Sequence, residues 1–293
     1  MPSKQASKQS ALGGILIYIM LAFVPSYAIC LGFSDGQGGV KNEFWGSTVM
    51  LYPAIAAFIT RLVTKEGFRS AMLGTGRKGS AKYYLAAVLY PLALPFVSAL
   101  ILHLFIVKNG SISDSAFADS GTAAASTLLF AFASGIAMAL HGFGEEFGWR
   151  AYLTPKLEEL MPTPAAIVVT GIIWALWHGP LLAYGYNFGR GYGFFPYGGF
   201  IAMIVMCIFW SALLTWMTKR TDSVYPAAIC HILIDTVLTG VYMLFKLKAD
   251  GTPFECRLSE FWTVILSVFP MIIVSGSAAM VLLCKSRKGA AAQ

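Results

Sequence analysis

The stretch TAAASTLLFAFASGIAMALHGFGEEFGWRAYL, residues 122–153, decides how the rest of the chain is read. Through residue 144 it holds no Asp, Glu, Lys or Arg, a run long enough to cross a hydrocarbon core of about 30 Å as a helix. It then presents two adjacent glutamates and an arginine without first reaching a polar loop. A charge at bilayer depth costs at least about 2.5 kcal/mol, so such residues mark function or a buried partner by default.

Seven further runs resemble it. Together the eight cover roughly 11–33, 44–63, 83–107, 122–144, 163–184, 198–217, 223–245 and 261–284. Hydrophobic residues make up 57% of the 293 positions and charged ones 12%, about half the roughly 25% of soluble domains. The mean hydropathy is +0.68. A water-soluble surface cannot be assembled from this composition. The expected fold is therefore all-α, a polytopic bundle of about eight transmembrane helices in one integral membrane domain, 1–293, whose polar core lies in 122–245. The first run is too long for a signal-peptide core and lacks a small-residue cleavage site, so it reads as an uncleaved helix.

Lys and Arg number 21 against 14 acidic residues. Fifteen of the 21 fall on the side that carries both termini when the runs are threaded alternately, and six on the other. Short basic loops resist translocation, so both termini are expected in the cytoplasm. The same rule accounts for the net positive charge, and no nucleic-acid partner is expected. The basic, glycine-punctuated loop 64–82 suits anionic lipid headgroups on that side. On the other side, YGYNFGRGYGFFPYGGF (184–200) reads as an interfacial aromatic belt rather than a ligand site. The five cysteines are scattered and form no C-x-x-C pair, so neither a disulfide framework nor a zinc-finger spacing follows.

The ionisable residues inside the runs fall into three groups: Glu145, Glu146 and Arg150 in HGFGEEFGWRAYL, His178 in WALWHGP, and His231 with Asp235 in CHILID. Four residues separate Glu146 from Arg150, which puts them on one helical face, while Glu145 points about 100° away. One carboxylate is then oriented by Arg150 and the other is left to face a reactant. Counted at 1.5 Å per residue from the basic side, Glu145 lies about 14 Å deep, His178 about 21 Å, His231 about 10 Å and Asp235 about 16 Å. The three groups can therefore converge near mid-depth, with His178 inside its helix rather than at its end. His141 sits one turn before Glu145 and reads as a hydrogen-bonded supporting residue rather than a metal ligand. His103 has no such company and reads as structural.

At these residues the sequence resembles the CPBP (CAAX protease and bacteriocin-processing) family, which includes the Rce1-like prenyl-protein endopeptidases. The family pattern runs E-E-x-x-x-R, then aromatic-x-x-x-H, then H-x-x-x-N or H-x-x-x-D, each on a transmembrane helix. Glu145-Glu146 with Arg150, Trp174 with His178, and His231 with Asp235 supply it in order, over about 90 residues. Ala151 stands where a glycine is frequent, and the first 120 residues match only as membrane helices.

The resemblance implies a glutamate-dependent intramembrane endopeptidase, without a cofactor, in the cell membrane and with a cavity reached from the cytosol and the bilayer. Its substrate would be a membrane-associated protein or peptide, of which a CAAX-type prenylated protein is one form. Carried over residue by residue, Glu145 and His178 would activate the water, Glu146 and Arg150 would support that site, and His231 with Asp235 would stabilise the oxyanion. Peptide hydrolysis needs such a base, acid and donor set. A zinc-dependent metallopeptidase is the alternative mechanism, although H-E-x-x-H is absent. From other classes, buried charges of this kind also serve small transporters, whose paired broken helices are not evident here, and non-catalytic immunity or scaffold proteins.

Overall fold

The computed structural model describes residues 4–35, 48–119 and 121–291, and its regular structure is helical. The main elements are α1 (Lys4–Gly32), α2 (Tyr52–Val63), α3 (Ala81–Ile101), α4 (Gly121–Ala137), α5 (Ala139–Gly148), α6 (Thr163–Trp177), α7 (Tyr197–Thr221), α8 (Tyr225–Leu233) and α9 (Glu260–Ala291). Wide π-type turns prolong three of them: Leu102–Ile106 after α3, Trp149–Leu153 after α5 and Ile234–Leu238 after α8. Helix resumes beyond two of these, at Thr154–Glu158 and Thr239–Lys246.

Five helical segments are long and apolar enough to cross a membrane: Lys8–Gly32, Ala81–Ile106, Tyr197–Thr221, Tyr225–Lys246 and Glu260–Lys285. A sixth crossing is available if Ala124–Ala137 and Ala139–Glu158, bent by 55°, act as one span. The other two runs give shorter apolar helices, Tyr52–Val63 and Thr163–Trp177. At 12 and 15 residues these reach only about 18 and 22 Å. Part of the run 44–63, residues 44–47, lies outside the described residues. Leu129, Phe130, Ile136 and Val274 are exposed, as suits a surface whose solvent is lipid.

Two sets of loops gather at opposite ends. At one end the loop after α2 joins the turn between α7 and α8: Val224 N–H donates to Met72 O (3.0 Å) and Arg77 N–H to Thr221 O (3.1 Å). Lys156 bridges to Glu66 at 2.9 Å and Lys219 to Glu158 at 2.8 Å there. At the other end, Lys108 N–H donates to Glu255 O (2.9 Å) and Ala116 N–H to Leu247 O (2.8 Å). The loops at 64–82, 154–159 and 219–224 thus share one end, and those at 107–116 and 247–256 share the other. Cytoplasmic placement of the basic end remains an expectation from the charge count.

Prolines explain how the polar segments are bent. Pro155 has no N–H to offer the carbonyl of Ala151, and the preceding turn widens. That carbonyl instead accepts from Arg61 Nη2 at 2.8 Å, and Trp149 O accepts from Thr154 Oγ1 at 2.8 Å. Pro180 likewise cannot bond Leu176 O, which accepts from Tyr27 of α1 at 2.5 Å. α6 therefore ends at Trp177, and His178 occupies the turn that follows (φ −77°, ψ 1°). The sequence expectation of His178 within an unbroken helix over 163–184 is corrected here.

α5 packs closely on its neighbours because two of its glycines leave no room for a side chain. A Cβ at Gly142 would lie 2.8 Å from Ile232 Cβ on α8, and one at Gly148 would lie 2.4 Å from Pro53 Cβ on α2. Small residues at such crossings let membrane helices approach backbone to backbone. The helix that carries the glutamates is thereby pressed against the helix that carries His231. Among the described residues no two cysteines are joined, and Cys30, Cys207 and Cys230 are buried.

Candidate functional site

The three motif groups converge between α5, the end of α6 and α8. Glu146 is fully buried, and its Oε1 accepts from Arg150 Nη1 at 3.1 Å and from His231 Nδ1 at 2.7 Å. Arg150 is also buried; its Nη2 donates to Ser211 Oγ on α7 at 3.3 Å, and its guanidinium lies 4.4 Å from the Trp174 ring centroid. The i, i+4 pair expected from sequence is thus present, extended to a histidine on another helix and to the face of an indole.

Glu145 is also buried but pairs with no cation. Its Oε2 accepts from Trp174 Nε1 at 2.7 Å and from Trp149 Nε1 at 3.2 Å. Both indoles bind the same oxygen, so Oε1 has no protein donor among the described residues and is free for a ligand. Trp174 is the hub of the arrangement. Besides holding Glu145 and shielding Arg150, its carbonyl accepts from His178 Nδ1 at 2.9 Å, and its ring meets that of His231 edge-on at 5.3 Å. An Nδ1–H bonded to a carbonyl leaves Nε2 of neutral His178 as the acceptor, the tautomer a base needs. Tyr186 stacks on the His178 ring at 5.9 Å and 11°.

His231 lies between two carboxylates, with Nδ1 on Glu146 and Nε2 3.5 Å from Asp235 Oδ2. With Nδ1–H committed to Glu146, Nε2 can donate only in the imidazolium form. The Asp235 side chain is 41% exposed, unlike the glutamates, and turns into open space.

Glu145, His178, His231 and Asp235, with Trp174, line one cavity of about 230 Å³. Glu146 and Arg150 stand behind this wall rather than on it. The sequence did not single out Trp149, Ser211 or Tyr186. Trp149 was within reach of the spacing rule, one turn after Glu145. Tyr186 lies in the stretch read as an interfacial belt; its neighbours Tyr192 and Phe194 do pack on Phe261, whereas Tyr186 and Asn187 line the cavity. His141 is half-buried, its Nδ1 has no hydrogen-bond partner, and it is not on the cavity wall. His103 bonds Phe245 O at 2.9 Å, a structural contact as expected. Among the described residues no three His, Cys, Asp or Glu side chains gather in a way that would hold a metal ion.

The cavity adjoins a second space of about 440 Å³ that reaches Lys246 and Glu260. Asp235, Tyr186 and Asn187 border both.

Residues 124–237 match the family model described as type II CAAX prenyl endopeptidase, Rce1-like. A protein named CAAX prenyl protease 2 from Methanococcus maripaludis is 30% identical over 149 residues, covering 49% of this chain and 52% of that protein. The chain thus spans about half the length of this curated relative.

Proposed function

From the match of residues 124–237 to the Rce1-like family model and the resemblance of the three motifs to the CPBP family, we propose that the chain is an intramembrane endopeptidase that hydrolyses a peptide bond in a membrane-associated protein or peptide. The observation that carries the mechanism is Glu145, pinned through Oε2 by two indoles, on the same cavity wall as a His178 whose Nε2 is the acceptor. A water placed between them loses its proton to Glu145 as its oxygen attacks the scissile carbonyl, with His178 orienting it. The C–N bond then breaks, and the proton passes from Glu145 to the departing amine. His231 and Asp235, facing the same space, stabilise the carbonyl oxygen while it carries negative charge. Glu146 and Arg150 hold His231 and Trp174 in place.

No ion is required for these steps. Activity is therefore expected to survive exhaustive chelation and metal-free dialysis, whereas loss reversed only by zinc would establish the metallopeptidase alternative. The relative's name makes a CAAX-type prenylated protein the first substrate to try. Comparing membrane-associated peptides from cells that carry the native protein or Glu145→Ala tests the proposal, with accumulation of an uncut precursor as the expected result. Identical peptide profiles in the two cell lines would count against it.

The charge count puts the termini in the cytosol, and the resemblance implies a cavity reached from there. The space beside Asp235 runs on toward Lys246 and Glu260, and a substrate that enters the site from within the bilayer fits both expectations.

A further inference from the structure

α1 carries none of the motif residues, yet it grips the segment that presents His178. Pro180 leaves Leu176 O without a helical donor, and a carbonyl at membrane depth has to find another. Tyr27 of α1 supplies it, its hydroxyl donating at 2.5 Å. At the next residue, Trp177 Nε1 donates to Ser26 Oγ at 3.0 Å, and the Ser26 hydroxyl donates in turn to Ala22 O at 2.7 Å. Two bonds therefore cross from α1 to the two residues directly before His178. The residue directly after it faces the same phenol: a Cβ at Gly179 would lie 2.7 Å from the Tyr27 oxygen. One turn further along α1, Cys30 shares the cavity wall with His178.

The backbone at His178 has left the helix (φ −77°, ψ 1°), so helical geometry no longer aims its ring. Within its own segment the imidazole has one hydrogen bond, from Nδ1 to Trp174 O at 2.9 Å, and an edge-on contact with Trp177 at 4.9 Å. Both depend on how the chain turns between Leu176 and Gly179. We infer that Tyr27 is a positioning residue for His178: by holding Leu176 O, its hydroxyl fixes the turn that aims the imidazole into the cavity. This rests on the peptidase reading above and gives the helix outside the three motifs a part in the reaction. A bond that only ties α1 to α6 would show the same contact. It would leave the histidine ring indifferent to the loss of the hydroxyl.

The test compares the full-length native protein, Tyr27→Phe and Tyr84→Phe in lipid vesicles. Tyr84→Phe is the control, because it also removes a hydroxyl that donates to a backbone carbonyl, Thr75 O at 2.9 Å, but away from the site. Turnover is read on an internally quenched peptide of the CAAX type with an S-prenyl cysteine. The ring is read by solid-state NMR of protein labelled with ¹⁵N at its four histidines, the His178 signals being those lost in His178→Ala. Tyr27→Phe is expected to lower kcat about tenfold to a hundredfold with KM within twofold of native, since a small misplacement of a catalytic group costs on that order. Its His178 signals should change from a single tautomer protonated at Nδ1 to a mixture, while those of His103 and His231 stay in place. Tyr84→Phe should leave kcat within twofold and all four histidines unchanged. A native kcat for Tyr27→Phe, an equal fall in both variants, or an unaltered His178 spectrum would overturn the assignment and leave the peptidase reading intact. Failure of the native protein to cleave the peptide, with His178 still altered in Tyr27→Phe, would count against that reading and keep the structural link.

Discussion

Replacing Trp174 with phenylalanine removes one N–H and leaves most of the aromatic area. That N–H is the shorter of the two donors to Glu145 Oε2, at 2.7 Å against 3.2 Å from Trp149. The backbone carbonyl that fixes His178 is untouched by the change, as is much of the aromatic face beneath Arg150. A hydrogen bond to a charged group contributes about 1.5–3 kcal/mol. If the bond serves to hold Glu145 in its reactive position, its loss should appear in kcat. At about 1.36 kcal/mol per factor of ten, the expected fall is about tenfold to 150-fold. Trp149→Phe, which loses the longer bond, should fall by less. Single-turnover cleavage by purified variants measures both, and thermal unfolding in the same vesicles checks that the fold is retained. A kcat for Trp174→Phe within twofold of native, in a protein that unfolds at the native temperature, would refute the idea that the indole positions Glu145.

Arg150→Met should destabilise the protein by about 3–5 kcal/mol, because it leaves the buried Glu146 carboxylate without its cation, and adding Glu146→Gln should recover part of that loss; a thermal scan of single and double variants decides. Asp235→Ala should lose roughly a hundredfold in kcat, as for a missing oxyanion donor, whereas Asp235→Asn should stay within about tenfold of native because its amide can donate. Equal losses in the two would instead assign Asp235 to holding His231 charged through the 3.5 Å contact. An Asn187→Cys variant, whose thiol borders both spaces, should react with a membrane-impermeant maleimide only from outside intact cells, while a cysteine placed within 65–82 reacts only from the cytosol; the reverse pattern would invert the topology.

What could be read from the sequence and what could not divide along the range of the interactions. The Glu146–Arg150 and His231–Asp235 pairs were legible because both partners lie four residues apart on one helix, and helical geometry alone brings them together. The acceptor role of Glu145 toward two indoles was half legible. Trp149 is one turn away, but Trp174 comes from another helix, 29 residues along the chain. Spacing placed His141 on the face of Glu145, yet its ring is not on the cavity wall, and the bend at Met138 where α5 begins was not read either. No glycine or proline at 138 announces that bend. The end of α6 at Trp177 was announced, by Gly179-Pro180, but the length of the apolar run outweighed it. The freed Leu176 carbonyl finds its donor on α1, which no local pattern discloses.

Glu145→Gln tests the central claim most directly, because it keeps the shape and an acceptor for the indoles while removing the group that would take the proton. Purified native protein, Glu145→Gln and His178→Ala should be compared in vesicles on a substrate found as an accumulated precursor. The account predicts that both variants insert and unfold like the native protein, while cleavage falls by roughly a hundredfold to ten-thousandfold, the usual range for loss of a positioned acid–base group. Native turnover by Glu145→Gln would contradict it.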